Sequence, residues 1–316
     1  MIRRLTESKI RPGIWPLEWA MIGYTLLTLI LMAFLAPQLV EPIPMLLWRL
    51  GSLLLLAGVW AMYRVWPCRL TTFLRIAAIM MTLSRWYPDT WEFNRLFTNL
   101  DHLFAIWEQQ LFGGQPSLTF SQHLPQWWAS EALYLGYFSY FPMIFILVFW
   151  FWVKRPEVLQ RTAFIIMAAF FLYYLIYIFL PVAGPQFYFN APGVDASHGV
   201  FPPVGHYFHE MHPMYPAPGT GGPFHQLVCL AHEAGERPTA AFPSSHIGIA
   251  TLLLILSLRH RLQGLALLLL PFYLLLCAAT VYIHAHYLVD ALAGFVSAFL
   301  VYGLLHGLYQ KIFQTT

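Results

Sequence analysis

Charge is scarce in this 316-residue chain: Asp, Glu, Lys and Arg make up 10% of it, against 59% hydrophobic residues. Soluble domains carry about 25% charge, so a fully solvated surface is excluded, and the same hydrophobicity excludes intrinsic disorder. The formal net charge of +3 is too small and too dispersed for a nucleic-acid-binding stripe, and no glycine-rich phosphate loop occurs. Neither nucleic acid nor ATP is an expected partner. Cysteine is equally sparse. Cys68, Cys229 and Cys277 lie far apart and form no CxxC pair, which leaves no disulfide framework and no zinc knuckle.

Long apolar runs are what the chain has instead. Windows at 17–36, 43–63, 128–153, 162–181, 262–283 and 287–307 reach the roughly 20 apolar residues that a membrane span needs. Two weaker windows are 70–84, which contains Arg75, and 242–258, which starts at Phe242-Pro243. Counting all eight gathers Arg3, Arg4, Lys9, Arg11, Arg64, Arg69, Lys154, Arg155, Arg161, Arg259, Arg261 and Lys311 on one side, twelve of the 17 basic residues. Short cytoplasmic loops collect Lys and Arg, so both termini are expected in the cytoplasm. Acids such as Glu41, Asp89, Asp101 and Glu236 fall on the other face. No A-x-A site follows the first window, which therefore reads as a retained helix rather than a cleaved signal. The expected fold is an all-α polytopic membrane bundle of about eight helices. Residues 85–127 read as an interfacial platform, and 182–240 as a long Pro/Gly-rich extracytoplasmic loop.

Two motifs carry chemistry. In His284-Ala285-His286-Tyr287-Leu288-Val289-Asp290, helical spacing puts His286 and Asp290 on one face, where the carboxylate accepts a hydrogen bond from one imidazole nitrogen and leaves the other basic. Taken alone, such a pair serves equally well to tie two helices together. In Ala241-Phe242-Pro243-Ser244-Ser245-His246, the proline opens a helix whose first N–H groups, with two hydroxyls and an imidazole, suit an anion; ordinary helix capping is the plainer reading. The charge-derived topology opens both helices at the same membrane face. Two histidines, an Asp and an anion-binding helix end then converge, and phosphoryl transfer through a phosphohistidine follows as the expected chemistry: His286 attacks phosphorus, Asp290 steadies the imidazolium, and His246 protonates the departing oxygen.

These motifs resemble the type 2 phosphatidic acid phosphatase (lipid phosphate phosphatase) superfamily. The resemblance implies a phosphate-binding role for Ser244, joined here by Ser245, the leaving-group acid at His246, the nucleophile at His286 and its partner at Asp290. His284–Asp290 looks most like the sphingolipid headgroup transferases, the inositol phosphorylceramide and sphingomyelin synthases. Phe112–Ser117, and Glu131 with Tyr137–Tyr140, are weaker echoes of that branch. A headgroup phosphotransferase is the first expectation and a lipid phosphate hydrolase the second; a non-catalytic lipid-binding or transport protein is the rival from another class. The implied partners are a phospholipid or lipid phosphate, a lipid alcohol or water as acceptor, and the bilayer. Residues 1–100 would form N-terminal membrane helices with an interfacial segment, and 101–316 the catalytic helical domain, its site facing the periplasm, lumen or exterior.

The chain departs from the phosphatase pattern in cations. Thr280 stands where the family has an Arg six residues before the nucleophile, and Pro181–Gln186 where it has a Lys followed by Arg-Pro. Arg237, or Arg49, Arg85 or Arg95, is the candidate to compensate. Fewer cations suit a singly charged phosphodiester better than a phosphate dianion, which favours transfer over hydrolysis. Glu131, Tyr140, Gln186, His284 and Tyr287 are further candidates for the substrate pocket. The histidines of 206–212, with His198, His225 and His232, match no HExxH helix; the resemblance implies a reaction without metal, and no cofactor is expected. Arg75 is expected to snorkel or to pair.

Overall fold

The computed structural model describes residues 11, 13–219 and 221–313; Arg3, Arg4 and Lys9 lie outside them. Helix α1 (Pro16–Leu35) starts where Pro16 needs no hydrogen-bond acceptor and Glu18 takes the Trp15 N–H at 2.6 Å. Helix α2 (Pro42–Val65) follows. The 70–84 window becomes two short helices, α3 (Arg69–Met81) and α4 (Leu83–Asn94), broken at Thr82, whose hydroxyl donates to the Ile79 carbonyl at 2.6 Å. Two short helices, α5 (Asp101–Phe112) and α6 (Pro116–His123), fall in the expected platform region. The 128–153 run is a pair, α7 (Trp127–Phe138) and α8 (Tyr140–Lys154), bent by 46°. Pro142 explains the bend, because a proline ring collides with the carbonyl four residues back, here that of Phe138.

Helix α9 (Leu159–Phe179) is buried along most of its length, packed by α1, α4, α12 and α14. Tyr24 of α1 stacks on Phe171 of α9 at 4.3 Å, with Trp86 of α4 edge-on to both rings. The long loop holds the one-turn α10 (Pro185–Tyr188) and α11 (Pro223–Gly235). It is strapped down where Trp91 Nε1 and Arg95 Nη1 donate to the carbonyls of Phe208 and His209. The bundle closes with α12 (Ser245–Arg259), α13 (Gln263–Tyr282) and α14 (Leu288–Phe313).

The fold is an all-α polytopic membrane bundle, and no strand forms among the described residues. Among the described residues, five helices are long and apolar enough to span a bilayer, or six if the bent α7–α8 pair counts as one. The expected number was eight. The two weak windows make the difference: α3 has 13 residues and α12 has 15, and 15 residues rise about 22 Å against a hydrocarbon core of about 30 Å.

Two buried ion pairs knit the first four helices. Glu18 Oε1 accepts from Arg75 Nε at 2.5 Å, joining α1 to α3, and Asp89 Oδ2 from Arg49 Nη2 at 2.6 Å, joining α2 to α4. The Arg75 guanidinium also lies 3.9 Å over the Trp15 ring. Arg75 therefore pairs, as expected, and Arg49 is committed to Asp89 rather than available to a phosphate.

The junction of α12 with α14 is set by Gly294. A Cβ there would stand 2.5 Å from the Ser244 carbonyl oxygen, so only glycine lets the helices meet so closely. Gly294→Val is expected to force the junction apart, costing about 1–3 kcal/mol for overpacking; a melting temperature equal to wild type would refute this.

Candidate active site

The irregular segment Ala240–Ser244 and the turn Ile283–Tyr287 come together in front of α12 and α14. The backbone is forced at both places, with φ of +70° at Ala240 and +67° at His284; such strain persists where the surroundings over-determine it. A buried carboxylate supplies much of that constraint. Asp101 accepts from the N–H groups of Ala183 (2.6 Å) and Gly184 (2.8 Å) and from the Tyr287 hydroxyl (3.0 Å). Burial pushes its carboxyl up, and the donors oppose this. Gly184 has φ +93°, and a Cβ on it would lie 2.9 Å from the Ala285 carbonyl oxygen.

His286 precedes α14 instead of lying on it. Its Nδ1 lies 2.8 Å from the Ala241 carbonyl oxygen and 3.8 Å from Asp290 Oδ2. The expected His286–Asp290 hydrogen bond is thus replaced: the i,i+4 rule holds within a helix, and α14 begins only at Leu288. Asp290 accepts the Tyr287 N–H at 2.8 Å, and its backbone carbonyl takes the Ser244 N–H at 3.0 Å. The bond to Ala241 still fixes the tautomer. A carbonyl only accepts, so Nδ1 carries the proton and Nε2 keeps its lone pair. Nε2 faces His246 Nδ1 at 3.4 Å. Burial pushes the His286 imidazole down to about 4, against the bond to Ala241 and the charge of Glu236.

His246 opens α12 between two aromatic rings, Tyr137 stacked at 4.8 Å and Tyr140 tilted at 4.5 Å. The helix end is less open to an anion than its sequence implies. Among its donors, Ser244 N–H goes to Asp290, Ser245 N–H to the Tyr177 hydroxyl and Ile247 N–H to the Ser244 hydroxyl. Ser244 is fully buried as the cap, and Ser245 is the serine that faces the cavity.

That cavity holds about 430 Å³, lined at its polar end by Tyr87, Tyr137, Tyr140, His232, Glu236, Ser245 and His246. A narrow throat adds Gln186, Thr239 and His286. Of the expected pocket residues, Tyr140 and Gln186 belong here and three do not. Glu131 accepts the Phe224 and His225 N–H groups at the start of α11. Tyr287 is buried on Asp101, and His284 is buried edge-on to Tyr215. Arg237 donates to the carbonyl of Glu236 and does not line the cavity. Arg95 pairs with Glu92 at 3.5 Å. No Lys or Arg lines either space among the described residues.

The residue that sequence reading missed is Glu236. Its Oε1 accepts from the Tyr87 hydroxyl at 2.7 Å and from Gln186 Nε2 at 3.1 Å, placing a carboxylate in the throat beside both histidines. An acidic residue just ahead of the serine motif was its one sequence signal. In the long loop, the rings of His206 and His209 meet edge-on and that of His212 stacks on Tyr207, all away from the cavity. No group of three His, Cys, Asp or Glu able to hold a metal ion forms among the described residues.

Comparison with curated proteins and with solved structures returns no match. A family model described as the PAP2 superfamily matches residues 105–304, which contain both histidine motifs, the throat residues Gln186 and Glu236, and every helix from α7 to α13. With well over half of its length matched and its two histidines meeting at one cavity, this integral membrane protein belongs to the PAP2 superfamily.

Proposed function

We propose that this protein transfers a phosphate-bearing headgroup between lipids through a phosphohistidine on His286. The observation that carries the reading is the His286 imidazole, its Nδ1 proton held by Ala241 and its Nε2 aimed at His246 across the throat. In the first half-reaction the Nε2 lone pair forms a bond to phosphorus, the bond from phosphorus to the lipid alkoxide breaks, and His246 delivers the proton that the departing oxygen needs. His246 must pivot to admit the phosphoryl group, since 3.4 Å between the nitrogens leaves no room for it. In the second half-reaction His246 takes the acceptor's proton as the acceptor oxygen displaces His286. Asp290, 3.8 Å from the ring it was expected to steady, acts through the turn it caps. Ser245 is the nearer phosphate ligand, and Ser244 supports it from the helix cap.

Transfer is favoured over hydrolysis by the throat's electrostatics. A carboxylate and, among the described residues, no Lys or Arg line the space, and such a lining repels a phosphate dianion more than a singly charged diester. Glu236, Gln186 and Tyr87 offer hydroxyl-binding groups for a polar headgroup or an acceptor alcohol. Counted over the eight-helix topology expected from sequence, the segregation of Lys and Arg favours cytoplasmic termini and an outward-facing site, and the reach of the family match favours residues 101–316 as the catalytic unit.

Purified protein supplied with phospholipid labelled in the headgroup phosphate, with and without a lipid alcohol, tests this reading. Label appearing on the alcohol supports it, label released to water as the phosphorylated headgroup would make the protein a hydrolase, and no release would reject enzyme activity. Acid dependence gives a second check. With its imidazole held down to about 4, His286 stays neutral and nucleophilic above that pH, so with an activated ester that needs no proton from His246 kcat/KM is expected to keep its value as pH falls through 6.5 and to decline only near 4. A decline centred at 6.5 would show an exposed, ordinary imidazole instead.

A further inference from the structure

A second apolar space of about 320 Å³ lies between α3 and α8. Phe73, Ala77 and Met80 line one wall and Ile144, Phe145 and Val148 the other. Leu83, Ser84, Phe141 and Phe170 line both this groove and the histidine cavity, so the two are continuous. From Tyr140 beside His246 down to Val148, α8 rises about 12 Å, close to one leaflet of a hydrocarbon core about 30 Å thick. One wall belongs to α3 and the start of α4, outside the matched residues 105–304.

We infer that this groove holds an alkyl chain of the phosphate-bearing lipid whose headgroup lies at His246 and His286. The inference rests on the lipid substrate proposed above and assigns its tail to helices that precede the family match. Continuity with the polar cavity selects the occupant: a chain in the groove leads straight to Tyr87, Ser245 and His246. Little net hydrophobic gain attends entry, because bilayer tails are as apolar as the walls. The groove therefore discriminates by length and shape.

The test uses full-length protein in a phosphate-free detergent with a phosphodiester lipid, phosphatidylglycerol, carrying a diazirine at its acyl end. Photolabel is expected on α3 and α8. Ala77→Trp should fill the groove and cut that labelling about fivefold, whereas Leu74→Trp, on the exposed face of the same helix, should leave it unchanged. Excess unlabelled phosphatidylglycerol should compete, and a fatty acid methyl ester of equal length should not. Equal competition by the ester, or labelling indifferent to Ala77→Trp, would mean that bulk lipid alone fills the groove. Labelling requires no turnover, so the groove reports on lipid binding independently of the chemistry proposed above. Where turnover exists, Ala77→Trp should lower kcat/KM about tenfold for long-chain substrate relative to dioctanoyl substrate.

Discussion

His286→Ala is expected to lower turnover by on the order of 10⁴-fold or more, the scale seen when a covalent nucleophile is removed. The ring is buried and carries no fold-critical pair beyond its bond to Ala241, so the variant should elute and melt near wild type. In wild type, quenching the reaction with labelled phospholipid should trap acid-labile phosphate on His286, and the variant should trap none. His246→Ala provides the contrast. Removing a general acid costs about 10²–10⁴-fold, but an activated ester whose leaving group needs no proton should still phosphorylate this variant. The phosphoenzyme should then accumulate, because the acceptor has lost its base. Equal losses with activated and ordinary esters would deny His246 the proton-transfer role, and full turnover in His286→Ala would end the phosphohistidine mechanism.

The largest expected loss of stability comes from Arg75→Met. It strands the Glu18 carboxylate, which is fully buried and now accepts from Arg75 through both oxygens at 2.5 Å. Breaking a buried pair on one side costs about 3–5 kcal/mol, which for a chain of this size lowers Tm by roughly 10 °C. The contact with Trp15 is lost as well. Replacing both partners, Arg75→Met with Glu18→Leu, removes the stranded charge and should restore most of the loss. The comparison of single and double variants by thermal melting decides it: if the single variant is no worse than the double, the pair contributes nothing that its burial suggests.

How far the sequence could be read varies with the physics involved. The convergence of His246 and His286, 3.4 Å apart in the fold, was legible because each motif stands at the start of a helix and the expected topology opened both helices at one face. Arg75 was legible because an unpaired guanidinium at that depth is too costly to leave alone. The His286–Asp290 bond was misread for a geometric reason. Helical spacing was applied to a residue that precedes the helix, and the carboxylate went to the nearer Tyr287 N–H. Ser244 and Ser245 exchanged emphasis for a similar reason, the first being consumed as a cap. Tyr287 and Asp101 were beyond reach, since their bond spans 186 positions and no periodicity announces it. Glu236 is placed by Tyr87 and Gln186, and the three come from separate parts of the chain.

The aromatic contact of Tyr24, Trp86 and Phe171 bears on how this protein can be divided. The family match begins at residue 105, and a fragment cut there would look complete by alignment. It would nevertheless strip α1 and α4 from α9, expose the Phe171 and Tyr174 rings they cover, and remove the Tyr87 hydroxyl from Glu236. The border that homology draws across this chain is a line through the middle of its core.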